Sequence, residues 1–160
     1  MKYFNNELGL HLRINDLLAG KLINEGYKHY PKEYGGVLLG RYSDDSECCY
    51  VEETILPRTY QSSKNSFERG NAGLFEDLTQ LSTTRPDLMY VGEWHTHPGC
   101  APVPSKIDRN AMRQIANHPW VKITAPILII IGYISNTTSW GTYVHYNNTL
   151  YGYVRTDNQS

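Results

Sequence analysis

The feature that most constrains the fold is an almost uninterrupted apolar run, APILIIIGYI, between Ala125 and Ile134. A membrane-spanning helix needs about 20 apolar residues, so this run is far too short to cross a bilayer in that form. A strand that is apolar on both faces must be covered on both faces, as happens where helices pack against a mixed sheet. The run therefore predicts a buried strand in an α/β or α+β domain.

The rest of the chain alternates between helix and strand patterns. Helices are predicted over residues 14–30, 70–83 and 105–118, and further strands over 35–42, 48–57, 88–96, 139–147 and 149–155. Apolar residues at positions 14, 17, 18, 22 and 27 form one stripe in the first helix, which Pro31 is expected to end. The polar SDDSE segment predicts a hairpin between strands 35–42 and 48–57, whereas the Ser/Asn-rich residues 58–69 predict an exposed loop. A length of 160 residues fits a single domain, residues 1–160.

Composition excludes several classes of partner and location. The formal net charge is −1 and no basic stripe is visible, so neither nucleic acid nor an anionic membrane is expected as a partner. Two of the three cysteines, Cys48 and Cys49, are adjacent, which argues against a disulfide framework and for a reducing compartment. The N-terminal MKYFNNELGLHL lacks the apolar core of a signal peptide. We expect a cytoplasmic protein.

The segment GEWHTHPGCAPVPSKID, Gly92 to Asp108, carries the residues with the clearest chemistry. His95 and His97 are two apart at the end of a predicted strand, so their imidazoles point to the same side and can share one metal ion. Asp108 would lie in the first turn of the next helix. Two histidines and a carboxylate are the ligands of several catalytic zinc sites, in which the fourth position stays open for water.

The same segment also has a purely structural interpretation. SKID has the form of a helix N-cap, with Ser105 as the cap and Asp108 as the acid at the third helical position. Single histidines on strands are often surface or core residues. Glu33, before the strand GGVLLG, could act as a general base in a cleft or be an ordinary solvated charge. Taken one by one, these residues leave both interpretations open.

In combination the motifs resemble the JAB/MPN metalloproteases, also called the JAMM family. That family has a glutamate before a glycine- and leucine-rich strand, then H-x-H-P and S-x-x-D, which here are Glu33 with GGVLLG, HTHP and SKID. The resemblance covers the whole domain. It implies a JAB/MPN fold, in which helices flank a mixed, curved sheet in a cytidine-deaminase-like architecture.

The resemblance also implies a role for each motif residue. His95, His97 and Asp108 would bind a catalytic Zn²⁺ ion, Glu33 would be the general base, and Ser105 would donate a hydrogen bond to the oxyanion. The implied reaction is hydrolysis of the amide or isopeptide bond after the C-terminus of a ubiquitin-like or other conjugated protein. Segments 57–71 and 135–141, both predicted as loops, would shape the groove for the substrate tail.

The short chain is similar to the compact prokaryotic branch of the family. This implies E1- and E2-like conjugation enzymes as partners, as in CBASS antiphage systems. Other members of the branch process sulfur-carrier proteins, and some MPN domains are non-catalytic scaffolds that lack motif residues. A small-molecule zinc hydrolase or a deaminase is a further alternative, although the chain has no C-x-x-C ligand motif of a deaminase.

Two residues near the motif have no assigned role. Glu93 shares a strand face with His95 and could orient a metal ligand, or it could pair with a lysine or arginine. Cys100 with His97 as its base would make a thiol protease, but a histidine that binds zinc cannot serve as that base.

Overall fold

The predicted apolar strand lies inside the sheet of the computed structural model, which describes residues 1–119 and 123–157. In this part of the chain the strands are β1 (Lys2–Asn5), β2 (Leu10–Ile14), β3 (Gly35–Tyr42), β4 (Cys48–Ile55), β5 (Tyr60–Ser62), β6 (Phe67–Arg69), β7 (Met89–Pro98), β8 (Ile127–Ile134), β9 (Thr137–Tyr146), β10 (Thr149–Gly152) and β11 (Val154–Arg155). The helices are α1 (Asp16–His29), α2 (Leu74–Thr84) and α3 (Lys106–Ala116). The predicted alternation of helices and strands is confirmed.

Nine of these strands form one mixed sheet, in the order β10-β9-β8-β7-β3-β4-β2-β1-β11. The pairs β7–β8 and β2–β4 are parallel, and the other neighbours are antiparallel. The parallel pair β7–β8 is connected through α3, and the pair β2–β4 through α1 and β3. Both β7 and β3 are inner strands, so each has a paired strand on both sides.

The two faces of β8 are covered by different helices, as the apolar run predicts. Ile129 and Ile131 belong to the main core together with Leu18 and Leu22 of α1. On the opposite face, Leu128 and Ile130 pack with Met112 of α3. Seven of the eight β8 residues are buried. The α/β class and the flanked mixed sheet are therefore confirmed.

The apolar stripe predicted for α1 is only partly right. Leu18 and Leu22 are buried, but Leu17 is 88 % exposed. The helix starts two residues later than predicted, because Asn15 is its N-cap and accepts hydrogen bonds from the backbone N–H groups of Leu17 and Leu18. The helix ends at His29, in agreement with the expected effect of Pro31.

The structure differs from the sequence-based expectations at three further places. The N-terminal strands β1 and β2 were not predicted, and residues 58–69 contain the hairpin of β5 and β6 where a loop was expected. The segment 135–141 is also not a loop: Ser135 and Asn136 form a tight turn with positive φ, and β9 follows at once. Two-residue turns of this kind match the twist of antiparallel strands, which explains why so short a connection is enough.

Among the described residues no helix is both long and apolar enough to cross a membrane.

A buried chain of hydrogen bonds connects the Trp94 side chain of β7 to β4 and β3. The indole Nε1–H donates to Thr54 Oγ1 at 2.9 Å, and the Thr54 hydroxyl donates to the Val37 carbonyl at 2.8 Å. Trp94 is the largest fully buried side chain of the described residues. Its orientation therefore depends on one threonine hydroxyl.

We predict that Thr54→Val lowers the free energy of unfolding by about 1–3 kcal/mol, because it keeps the side-chain shape but removes the hydroxyl that accepts the indole N–H and donates to the Val37 carbonyl. Urea denaturation measures this change. Thr149→Val at an exposed position is the control and should stay within about 0.5 kcal/mol of the unmodified protein. Equal stability of the two variants would contradict the role of the Thr54 hydroxyl.

Candidate metal centre

The two motif histidines lie side by side on the inner strand β7. His95 pairs with Gly35 of β3 on one side and with Ile130 of β8 on the other. Both histidines are buried, and both side chains face the side of the sheet that α3 covers. Their Nε2 atoms are 3.1 Å apart. The predicted pairing of the two imidazoles on one face is confirmed.

Asp108 reaches these imidazoles from the first turn of α3. Ser105 caps the helix: its Oγ accepts the Asp108 N–H at 3.1 Å, and Asp108 Oδ2 accepts the Ser105 N–H at 2.6 Å. The predicted capping box is therefore present. The Asp108 carboxylate lies 3.2 Å from His95 Nε2 and 3.4 Å from His97 Nε2. The Asp108 carboxylate thus contacts both imidazoles while it takes part in the capping box.

These three side chains fit one tetrahedral metal ion. Nitrogen and oxygen atoms bound at the usual zinc distances at tetrahedral corners are about 3.3 Å apart. The two Nε2 atoms are 3.1 Å apart, Asp108 Oδ1 lies 3.2 Å from His95 Nε2, and Asp108 Oδ2 lies 3.4 Å from His97 Nε2. The Nδ1 atom of His97 lies 3.3 Å from the Ala101 carbonyl, a contact that favours a proton on Nδ1 and leaves Nε2 free to bind.

Glu33 completes the cluster from the neighbouring strand edge. Antiparallel pairing of Gly35 with His95 places Glu33 opposite His97, just before β3 begins. Ligand atoms of Glu33, His95 and His97 lie within 4.8 Å of one another. Glu33 is only 7 % exposed, so the alternative of a solvated surface charge is wrong.

The two carboxyl groups of the cluster have opposite electrostatic environments. Burial raises the pKa of Glu33, and the nearby His95 and His97 offset only part of this rise. Burial also acts to raise the pKa of Asp108, but the hydrogen bonds with His95 and His97 outweigh it and hold the pKa far below its ordinary value. A carboxylate that stays charged suits a metal ligand, whereas one with increased proton affinity suits a general base.

Ser105 lies beside the cluster, since its backbone N–H binds the Asp108 carboxylate. Its hydroxyl accepts one hydrogen bond, from the Asp108 N–H, and a hydroxyl in that state still has a proton to donate. The oxyanion role of Ser105 stays a prediction.

Glu93 pairs with an arginine and does not orient a histidine. Arg69 donates to both of its carboxylate oxygens, at 2.9 and 2.7 Å, and the Tyr90 hydroxyl donates to Oε1 at 3.0 Å. This bidentate pair connects β6 to β7 at a position two residues before His95. Of the two interpretations given for Glu93, the ion pair is the one that its contacts support.

Cys100 is exposed in the loop after β7. Both ring nitrogens of His97 already face oxygen partners, Ala101 O and Asp108 Oδ2. This arrangement gives no support to a Cys100–His97 thiol protease.

The sequence interpretation missed residues that hold the cluster through its backbone. Thr96, between the two histidines, accepts the Tyr34 N–H on its hydroxyl at 2.9 Å. Ser62 donates its hydroxyl to the Glu33 carbonyl at 2.5 Å. The threonine was visible inside the H-x-H motif, whereas nothing marks Ser62 in its serine-rich segment.

The buried Glu33 lies beside two histidines and an aspartate, at the ends of two inner strands of a mixed sheet. This combination defines a candidate metallohydrolase. Residues 18–143 match the family described as prokaryotic homologs of the JAB domain, and the chain belongs to that family. The matched range contains all five motif residues: Glu33, His95, His97, Ser105 and Asp108.

Two individual proteins are similar to this chain. Over 131 residues the chain is 36 % identical to a protein of Enterobacter hormaechei subsp. hoffmannii (strain UCI 50) named CD-NTase/cGAS isopeptidase, covering 81 % of this chain and 72 % of that relative. A solution structure of a protein from Desulfitobacterium hafniense matches with a TM-score of 0.63, 17 % identity and 88 % of each chain. At that identity the second similarity shows the fold alone.

We predict that Gly35→Ala disturbs the cluster. A Cβ atom at Gly35 would lie 2.0 Å from the Trp94 carbonyl oxygen and 2.8 Å from His95 Cβ, so β3 would have to move away from β7. Divalent metal binding, measured by titration calorimetry, should weaken at least tenfold, as for loss of a supporting residue around metal ligands. Gly20→Ala in α1 is the control, because a Cβ there meets nothing within 4 Å. Equal metal affinity in both variants would contradict the close approach of the strands.

Proposed function

We propose that the chain is a zinc-dependent isopeptidase that removes a conjugated protein from its target. The observation that carries the proposal is the cluster of His95, His97 and Asp108, with ligand-atom separations of 3.1–3.4 Å and a buried Glu33 beside it. Membership of the JAB family and the name of the Enterobacter relative support the same reaction class.

His95, His97 and Asp108 would hold the zinc ion. When bound, zinc polarises oxygen atoms and so supplies a Lewis acid at this position. Glu33 would take a proton from the attacking water and deliver it to the leaving amine, a transfer that its raised pKa favours. Ser105 would donate its hydroxyl proton to the oxyanion that forms on the scissile carbonyl.

A cavity of about 360 Å³ adjoins the cluster and can receive the tail of a substrate. Its walls include Phe67 and Arg69 of β6 on one side and Ile107 and Ala111 of α3 on the other. The name of the Enterobacter relative, an isopeptidase, points to a protein substrate. We therefore favour a protein C-terminal tail over a small-molecule substrate.

The relative's name points to a CD-NTase as the conjugated protein, and we propose the same substrate class for this chain. Conjugation enzymes of the E1 and E2 type, an antiphage CBASS setting and the cytoplasm would then be its context. Processing of a sulfur-carrier protein is the second candidate, because it uses the same site on a similar tail. A non-catalytic scaffold is disfavoured, since all five motif residues are present and four of them lie together.

We predict that protein purified from zinc-supplemented cells contains about one zinc ion per chain, measured by inductively coupled plasma mass spectrometry. His95→Ala and Asp108→Ala should each lose the metal, because two remaining ligands do not complete a catalytic site. Cys100→Ser is the matched control and should retain it. A metal content near zero in the unmodified protein would refute the zinc site.

We predict that Glu33→Gln lowers the rate of hydrolysis about 100- to 10,000-fold, because the amide cannot accept the proton. The substrate is a CD-NTase C-terminal tail joined to the ε-amine of a fluorescent lysine, and metal content is measured on the same sample. Zinc should remain bound, since Glu33 is not one of the three proposed ligands. Cys100→Ser should keep most activity, and full activity of Glu33→Gln would show that the base is assigned wrongly.

A parallel substrate separates the two candidate functions. A sulfur-carrier protein with a C-terminal extension is offered at the same concentration as the CD-NTase conjugate. Faster cleavage of the conjugate supports deconjugation, and faster cleavage of the carrier supports the second candidate.

A further inference from the structure

The hydrogen bonds of Glu33 within the described residues all involve its backbone. Its N–H donates to the Ser63 carbonyl at 2.8 Å, and its carbonyl accepts the Ser62 hydroxyl at 2.5 Å. Both partners belong to the β5–β6 hairpin, which joins Tyr60–Ser62 to Phe67–Arg69. Since no hydrogen bond fixes the Glu33 carboxylate, its position follows from the backbone to which it is attached.

The peptide group between Glu33 and Tyr34, whose carbonyl accepts the Ser62 hydroxyl, is also held from the opposite side, by the strand of the proposed metal ligands. The Tyr34 N–H donates to the Thr96 hydroxyl at 2.9 Å, and the Thr96 N–H donates to the Tyr34 carbonyl at 2.8 Å. Thr96 is fully buried. One side of this backbone segment is thus fixed to β7, and the other side is fixed to the hairpin.

The hairpin has its own attachments, which do not depend on Ser62. Tyr60 and Phe67 pack against the Tyr34 ring, with centroid distances of 5.2 and 5.7 Å. At its other end Arg69 forms the bidentate pair with Glu93. Removal of the Ser62 hydroxyl should therefore leave the hairpin in place and release only the Glu33 carbonyl.

We propose that Ser62 is a positioning residue for the general base: its hydroxyl, held on the β5–β6 hairpin, fixes the Glu33 backbone and so aims the carboxylate at the metal centre. This inference rests on the proposed function for its catalytic consequence, but not for its structural one. The hairpin also forms one wall of the cavity beside the cluster, through Phe67 and Arg69. The wall that a substrate tail would contact is thus the element that holds the base.

The test compares Ser62→Ala with Ser62→Thr, which keeps the hydroxyl on a strand residue, and with the control Ser66→Ala. Ser66 lies in the same hairpin, and its hydroxyl bonds only the Ser63 hydroxyl at 2.7 Å. With the fluorescent lysine conjugate, kcat of Ser62→Ala should fall about tenfold at unchanged KM and zinc content, as expected for a misplaced catalytic group. Ser62→Thr should restore kcat, and Ser66→Ala should match the unmodified protein.

A second measurement is independent of activity. Amide hydrogen exchange, followed by NMR on the metal-free proteins, should be several-fold faster at Tyr34 in Ser62→Ala than in Ser66→Ala, because the Tyr34 N–H belongs to the peptide group that loses the Ser62 bond. If the unmodified protein cleaves neither substrate, the proposed function fails, and this exchange alone decides the role of Ser62.

Three results would overturn the positioning role. They are unchanged kcat and unchanged exchange in Ser62→Ala, a loss of kcat that is accompanied by loss of zinc, and a failure of Ser62→Thr to restore kcat.

Discussion

The close approach of β3 to β7 is the constraint on which the rest of the site depends. Gly35 opposite His95 allows a backbone separation that any larger residue would prevent. On the other side of β7, Gly92 lies equally close to Ile127 of β8, where an added Cβ would be 1.9 Å from a carbonyl oxygen. The strand β7, which carries the two histidines, is therefore packed closely against both neighbouring strands. Imidazoles on such a strand have little freedom to move, which suits preorganised metal ligands.

The parts of the fold with strong periodicity could be predicted from the sequence. The strand around Ile129, the hairpin before Cys48 and the capping box at Ser105 each follow from local chemistry, and each is confirmed. The short strands β1, β5 and β6 could not be assigned, because three or four residues carry too little pattern to outweigh the polar residues around them. The alternation in LHLRI of β2 was a usable signal that was overlooked.

The candidate site shows the same division between local and distant information. Spacing placed His95 and His97 on one face, and capping placed Asp108 near a helix start. The position of Glu33 depends instead on strand register across about sixty residues of chain, which periodicity alone does not specify. The contact between Ser62 and Glu33 depends on how the β5–β6 hairpin packs in the folded domain, so it could not be predicted from the sequence.

The unpaired carboxyl group of Glu33 has a consequence for how this domain can change over time. Ser105 and Asp108 cap a helix as well as lying at the candidate metal centre, so a descendant without catalysis would still retain them for stability. Glu33 has no such second use in the described structure, and its burial raises the pKa of its carboxyl group because the charged form is poorly solvated there. Selection for folding alone would replace it with an apolar residue. The glutamate, more than the aspartate or the serine, is thus the residue whose presence marks selection for chemistry.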